Sequence, residues 1–418
     1  MKKFVLCFLC FFIPLLMTGC SAPKGVQDTA IVLGAGLDLV PEDEVVDGNN
    51  LLLTVELVKF RGGSEQSGVE SVVLSAADKT VLGASKKISR LVNQTLFWGH
   101  AQALFWGEEL AAEGINQHLE VFYRNSEISP LISMIYVDGR ANEAMKKSMG
   151  IEIFTSLSVA QNMKLQKQTS KALLAISSLH MFVEKNLIPG TGLVLNTLKE
   201  IEPQSSDEDL AEEKTDEEKN PTEIESLTFS DMAVIGSDGR FKGLVTDSEY
   251  VGTIYWLGQS KGTYITVYLE DHSKISLDVS QWNLKQKWHN DGPNGKYLEL
   301  DCEALAVLRD QEKPIDFSIA ENYKEVEELT KERFIKLLEL AWQRAVEIGE
   351  DYLLIGDTIR KHDYEFWNEN KDNWQEIFPE IPVVVNLDMK LHVMGNAYDT
   401  FFKEERGVYD YQQDHYEK

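Results

Sequence analysis

A chain of 418 residues is longer than one hydrophobic core usually serves, and it implies two or three domains. Its formal net charge of -27 repels nucleic acid phosphates and anionic lipid headgroups alike. That excludes nucleic acid binding and leaves proteins, or neutral and cationic small molecules, as partners.

The chain opens with Lys2 and Lys3, an apolar run from Phe4 to Met17, and Thr18-Gly19 before Cys20. A positive start, a short apolar stretch and small residues at a cleavage point make a secretory leader. The apolar run is too short for a stable membrane span. A cysteine directly after Thr-Gly points to a lipoprotein signal. Residues 1–19 are then removed, and Cys20 is the lipid attachment site, taking a diacylglycerol on its thiol and an acyl chain on its new amino group. The other reading is an ordinary leader with a chance cysteine. No later stretch approaches the ~20 apolar residues of a membrane helix, so an extracytoplasmic body on a lipid anchor is expected. Cys7 and Cys10 leave with the leader, so the mature chain keeps only Cys302 besides the lipidated residue and forms no internal disulfide.

After a tether from Ser21 to Gln27, Thr29 to Val40 reads as a buried strand. Pro41 to Asn50 is an acidic loop, and Leu51 to Phe60 a second, alternating strand. Ser71 to Ser75 suggests a third. Ala76 to Val92 reads as a helix with Leu82, Ser85, Ile88 and Leu91 on one face. Leu96 to Gly107 reads as a single strand, followed by a helix from Glu108 to Tyr123 with acids at its start, where the helix dipole favours them. A strand over 131–137, a short helix over 141–147, helical spacing from Phe154 to Val183 and a strand over 192–198 complete an N-terminal α/β domain, 20–199.

Residues 200–226 hold twelve acidic side chains and almost no large apolar ones, the composition of a disordered linker. Residues 227–270 read as a small strand-rich middle domain: a hairpin over 232–245, a helix over 247–257 and a strand over 263–269. The C-terminal α+β domain, 271–403, begins with strands at 275–279, 281–288 and 297–308, where alternation points Cys302 inward with Leu298 and Leu300. Its longest helix, 321–348, carries Phe334, Leu338, Ala341, Ala345 and Ile348 as a stripe. Shorter helices at 354–367 and 370–378, a strand at 383–394 and a polar tail, 404–418, follow. The expected fold class is α+β: three mixed α/β domains with mainly antiparallel sheets, the long helix packed on the C-terminal sheet.

The motif scan is nearly empty. Gly34-Ala35-Gly36 lacks the third glycine of a dinucleotide fingerprint and leads into an acidic loop instead of a helix. There is no Gly-x-Ser-x-Gly elbow, Walker loop or His-Glu-x-x-His pair, and the eight histidines stand singly. His100, between two Phe-Trp-Gly triplets, reads as a structural residue. No catalytic, cofactor-binding or metal-binding residue is assigned.

The order of these segments resembles the Ger(x)C family, the C-type lipoprotein subunits of nutrient germinant receptors in spore-forming bacteria. Thr29 to Asp38, with its Gly-x-Asp ending, is similar to the family's opening strand. Phe97-Trp-Gly-His100, Gly107-Glu-Glu-Leu-Ala111, Gly114-Ile115 and Phe122 to Ile128 resemble its central signature, with Asn125 in a usual aspartate position. Ala233-Val-Ile235, Lys242-Gly243, Gly252, Trp256, Asp357, Trp374 and Phe378 resemble its C-terminal half. The chain departs from the family at Ser21-Ala22, where a Trp-Asp pair often follows the lipidated cysteine, and in the length of its acidic linker.

The resemblance implies a non-catalytic receptor subunit, without cofactor, on the outer face of the spore inner membrane. Its partners would be the bilayer, through Cys20, and integral-membrane A- and B-type subunits. The rival reading is an extracytoplasmic lipoprotein that itself captures a small molecule.

Overall fold

The computed structural model describes residues 28–61, 68–147, 149, 153–168, 177–201, 227–259, 263–292 and 295–393. The leader with Cys20, most of the acidic stretch 200–226 and the tail 404–418 lie outside the described residues. The fold is mixed α/β, with helices packed on two sheets.

The first sheet takes its centre from β1 (Thr29–Leu39), which pairs antiparallel with β2 (Leu51–Arg61) and parallel with β5 (Ala103–Gly107). Its order is β3-β2-β1-β5-β6-β7-β8-β9, with β4 (Thr95–Phe97) also on β1. Here β3 is Gly68–Asp78, β6 Ser133–Val137, β7 Leu193–Glu200, β8 Leu227–Ile235 and β9 Phe241–Val245. One face is covered by α1 (Val81–Val92), α2 (Glu108–Glu113), α3 (Asn116–Arg124) and α6 (Leu179–Asn186), which bury Ile88, Leu110, Phe122 and Phe182 against Leu37, Leu53 and Trp106. The other face takes α4 (Ala141–Ala144) and α5 (Thr155–Gln168).

Three expected elements differ here. The helix expected from Ala76 begins only at Val81, because Ala76 to Asp78 finish the β2–β3 ladder and Thr80 Oγ1 accepts from Gly83 N at 3.0 Å. Its buried face is therefore Val81, Ala84 and Ile88, while Leu82 and Leu91 are 56% and 67% exposed. The single strand expected over 96–107 is two, broken by a turn in which Ala101 N donates to Trp98 O at 3.0 Å. The helix expected over 108–123 is also two, since Gly114 turns the chain at φ +126° and Ile115 N donates to Gly239 O instead.

The second sheet runs β10-β11-β12-β13: Tyr264–Tyr268, Lys274–Gly292, Gly295–Gln311 and Val383–His392. The two strands expected at 275–279 and 281–288 are one, because a bulge absorbs Ser280 and the ladder to β12 resumes at Gln281–Leu305. Helix α8 (Ala320–Ile348) packs on its inner face, burying Phe334, Leu338, Ala341 and Ala345. The shorter helices α9 (Ile355–His362), α10 (Tyr364–Asn370) and α11 (Trp374–Ile377) follow it.

The strands of 227–270 divide between the two sheets: β8 and β9 extend the first, and β10 opens the second. Between them, α7 (Asp247–Trp256) lies against α8. Met232, Val234 and Val245 share one apolar cluster with Leu277, Leu300, Phe334 and Trp256. A helical layer thus sits between the two sheets, and its core is common to both. The two helices meet at Gly252, where a Cβ would stand 1.9 Å from Leu337 O.

Candidate functional site

The residues that stood out in the sequence turn out to be engaged in packing. Gly34, Gly36 and Asp38 share one face of β1. A Cβ on Gly34 would meet Ser156 Oγ at 2.1 Å, and one on Gly36 would meet Met145 and Ala141 at 2.8 and 2.9 Å. The glycines make a flat strip on which α4 and α5 rest directly on backbone. Asp38 then receives Ala141 N at 2.7 Å and Asn142 N at 2.8 Å, filling the acceptor need at the start of α4. Burial pushes its carboxyl up, and those two N–H groups and Arg140 work against the rise.

A second buried carboxylate, Glu56, was not singled out in the sequence. It receives Thr155 N at 2.9 Å, Ser156 N at 2.8 Å and Ser71 Oγ at 2.8 Å, and so caps α5. The signal that could have found it is a lone acid in the apolar run Leu51 to Val58, which needs a partner once buried.

His100 is exposed on the β4–β5 turn, edge-on to Phe97 with centroids 5.7 Å apart. Cys302 lies inward beside Leu298 and Leu300, and burial pushes its thiol up to about 12, far from a reactive thiolate. Among the described residues, no group of three or more His, Cys, Asp and Glu is placed to hold a metal ion, and no helix is long and apolar enough to cross a membrane.

The densest polar chemistry lies where the first sheet meets the residues after α8. Asp351 is fully enclosed and accepts from Ile355 N at 3.0 Å, Gly356 N at 2.7 Å and Trp374 Nε1 at 2.9 Å. Beside it, Glu350 accepts from Gln375 Nε2 at 3.0 Å and stands 3.6 Å from Lys242, which follows the β8–β9 turn. Burial raises both carboxyls. Gly190, just before β7, approaches the Trp374 ring so closely that a Cβ would stand 2.8 Å away. Asp357 closes the cluster, accepting from Lys185 of α6 at 2.8 Å, Lys361 at 2.8 Å and Arg360 at 2.8 Å.

Burial works to raise the Asp357 carboxyl, yet the three cations hold it well below its ordinary value of 3.8. A depressed folded pKa contributes stability above the ordinary value and loses it as pH falls below. Asp38, Glu350 and Asp351 act with the opposite sign, so the difference between proteins is the informative quantity. Asp357→Asn is expected to be less stable than wild type near neutrality, with the gap closing between about pH 5 and about pH 2. Urea denaturation across that range checks it. A gap that stays constant with pH would show that the ion cluster contributes nothing.

The outer face of the second sheet is open. Register sets its rows as Asn283–Glu303–Asp388, Lys285–Asp301–Asn386 and Lys287–Glu299–Val384. Some of the charge is internally paired, Lys287–Asp301 at 2.6 Å and Arg309–Asp278 at 3.0 Å, and the His289 ring hydrogen-bonds Glu299 at 2.7 Å. A shallow hollow of about 610 Å³ crosses it, with Leu305 among polar neighbours from Gln281 to His392.

Comparison with known proteins finds two family regions in order along the chain. Residues 23–200 match the family described as spore germination protein N-terminal domain. Residues 230–395 match the one described as spore germination B3/GerAC like, C-terminal. Spore germination protein B3 of Bacillus subtilis is 21% identical over 395 residues, covering 93% of this chain and 97% of that protein. YfkR of the same organism is 25% identical over 162 residues, 37% of this chain and 41% of its own length. The crystal structure of the GerBC protein shares the fold, with a TM-score of 0.53 and 13% identity over 87% of this chain and 98% of that one.

Proposed function

Since the chain belongs to the Ger(x)C family of spore germination proteins, we propose that it is the lipid-anchored, non-catalytic C-type subunit of a nutrient germinant receptor. The observation that carries this is the match to both family domains in order along one chain, together with an alignment spanning nearly all of germination protein B3. In this reading Cys20 holds the body at the outer face of the spore inner membrane, and integral-membrane A- and B-type subunits are its partners. A diacyl anchor holds well, at about 0.8 kcal/mol per buried methylene. Confinement to one membrane also raises the effective concentration of the partners, so a modest contact surface suffices.

Two features support a contact role over capture of a small molecule. The signature residues Asp38, Gly252, Asp357 and Trp374 are occupied in packing and capping, and the two sheets share a core where a binding protein would have a closing cleft. The test is recovery of the tagged full chain from spores. Wild type is expected in the inner-membrane fraction together with both subunits, and Cys20→Ala is expected to leave that fraction. Retention of the Ala variant, or radiolabelled fatty acid in it, would sink the anchoring role. Saturable micromolar binding of an amino acid, sugar or nucleoside in calorimetry would promote the capture reading instead.

A further inference from the structure

We propose that the outer edge of β3 is where an extended strand of a partner polypeptide adds to the first sheet, with a bulky apolar residue at one end and a basic one at the other. This rests on the reading of the chain as a receptor subunit, and it assigns that subunit a contact surface.

The four sheet edges are not alike. Unpaired edges invite pairing with another chain, and proteins usually guard them with short length, charge or cover. At β9, Arg344 Nε and Nη2 both donate to Leu244 O, at 3.1 and 2.8 Å. β10 has five residues. β13 alternates Asn386, Asp388, Lys390 and His392 along its solvent side. β3 has only one of these guards, a lysine on a backbone carbonyl next to its Asp78 end. It is eleven residues long, runs in unbroken register with β2 from Gly68 to Asp78, and among the described residues pairs with β2 alone. Its two charges are both engaged, Glu70 with Lys59 at 3.6 Å and Asp78 with Lys87 at 2.8 Å; Lys87 also donates to Ala77 O. From Ser71 to Ala77 there is no charge, proline or bulge.

The surroundings give the edge a polarity. At the Gly68 end, Phe60 and Val69 face each other across the strands and are 63% and 41% exposed. At the Asp78 end, the β1–β2 loop comes alongside, with Gly48 near Lys79. Its Glu42, Asp43, Glu44 and Asp47 are all exposed, and the loop carries no basic residue. An added strand would thus meet an apolar pair at one end, and at the other the end of the sheet that carries this acidic loop beside Lys79. A second copy of this chain fits poorly, since two chains each of formal charge -27 would repel. A non-acidic partner strand satisfies both ends.

Val72 and Val73 are neighbours, so their N–H groups point to opposite edges of β3. Proline at one removes a bond to β2, and at the other it removes only an outward donor. Melting temperature identifies the tolerated one of Val72→Pro and Val73→Pro. The full chain carrying that proline is expected to remain in the membrane fraction but to recover the A- and B-type subunits at least about tenfold less well than wild type. The triple variant Glu42→Lys, Asp43→Lys, Glu44→Lys, at exposed positions, is expected to lower recovery comparably, most of all at low salt. It carries the test if neither proline variant folds. Undiminished recovery in these variants overturns the assignment. So does slow hydrogen exchange at the outward β3 amides of the isolated full chain, which would mean that the chain covers its own edge. If wild type itself recovers no partner, the receptor-subunit reading has failed and this one with it. Recovery by wild type and variants alike fails the edge alone.

Discussion

Gly252→Ala is expected to destabilise the protein, although alanine is the better helix former. Inside a helix the exchange alone would favour Ala by about 1 kcal/mol. The added methyl, however, would stand 1.9 Å from Leu337 O and 2.7 Å from Leu337 C, and backbone cannot yield as a flexible side-chain tip does. Helices α7 and α8 must separate, which disturbs the Trp256–Trp342 stack, with centroids 6.1 Å apart, and the Tyr255–Phe334 contact at 5.2 Å. Overpacking of this kind costs about 1–3 kcal/mol, and more where backbone has to move. The net sign is therefore a loss of up to about 2 kcal/mol once the propensity gain is subtracted, and more where the backbone has to move. Denaturant midpoints of the two proteins decide it. A variant as stable as wild type would mean that the helices do not cross as closely as described.

Asp351→Ala is expected to cost still more. The carboxylate serves three donors, and its removal leaves Ile355 N, Gly356 N and Trp374 Nε1 without an acceptor in a site closed to water. Each buried donor left unmade costs about 1–3 kcal/mol, so about 3 kcal/mol is a floor. Asp351→Asn separates charge from geometry. It keeps one acceptor oxygen and removes the cost of a buried negative charge, a cost visible in the raised pKa, so it is expected to fall between Ala and wild type. An Asn variant as unstable as Ala would show that both oxygens are needed. An Ala variant within about 1 kcal/mol of wild type would remove Asp351 as the organiser of this corner.

How far the sequence revealed this molecule depends on whether the deciding interaction is local. The β1–β2 hairpin, the inward Cys302 and the stripe of α8 follow from alternation or helical spacing within a few residues, and each stands where the pattern puts it. Element ends that depend on a distant partner were not legible. Trp98 to Ala101 look like continuous strand, but Gln102 N donates to Leu33 O, 69 residues earlier in the chain. The 227–270 stretch reads as a unit because it is compact in sequence, yet its strands pair with β7 on one side and β11 on the other. The Gly-x-Gly-x-Asp run of β1 was the hardest case. Its spacing hints at phosphate binding, while its purpose is set by α4 and α5, more than a hundred residues later, which no local pattern records.

The antiparallel β7–β8 ladder has a consequence for how such chains can change over evolutionary time. It joins Leu193–Glu200, at the end of one recognised family region, to Leu227–Ile235, at the start of the other. The segments that sequence comparison treats as separable modules therefore share one sheet, to which the second contributes β8 and β9. An exchange between relatives at the acidic stretch would have to bring matched strands on both sides of the break. A gene carrying only the first half would end on an apolar strand whose neighbour is missing. Inheritance and folding divide this protein at different places, and that mismatch favours transmission of the two halves together.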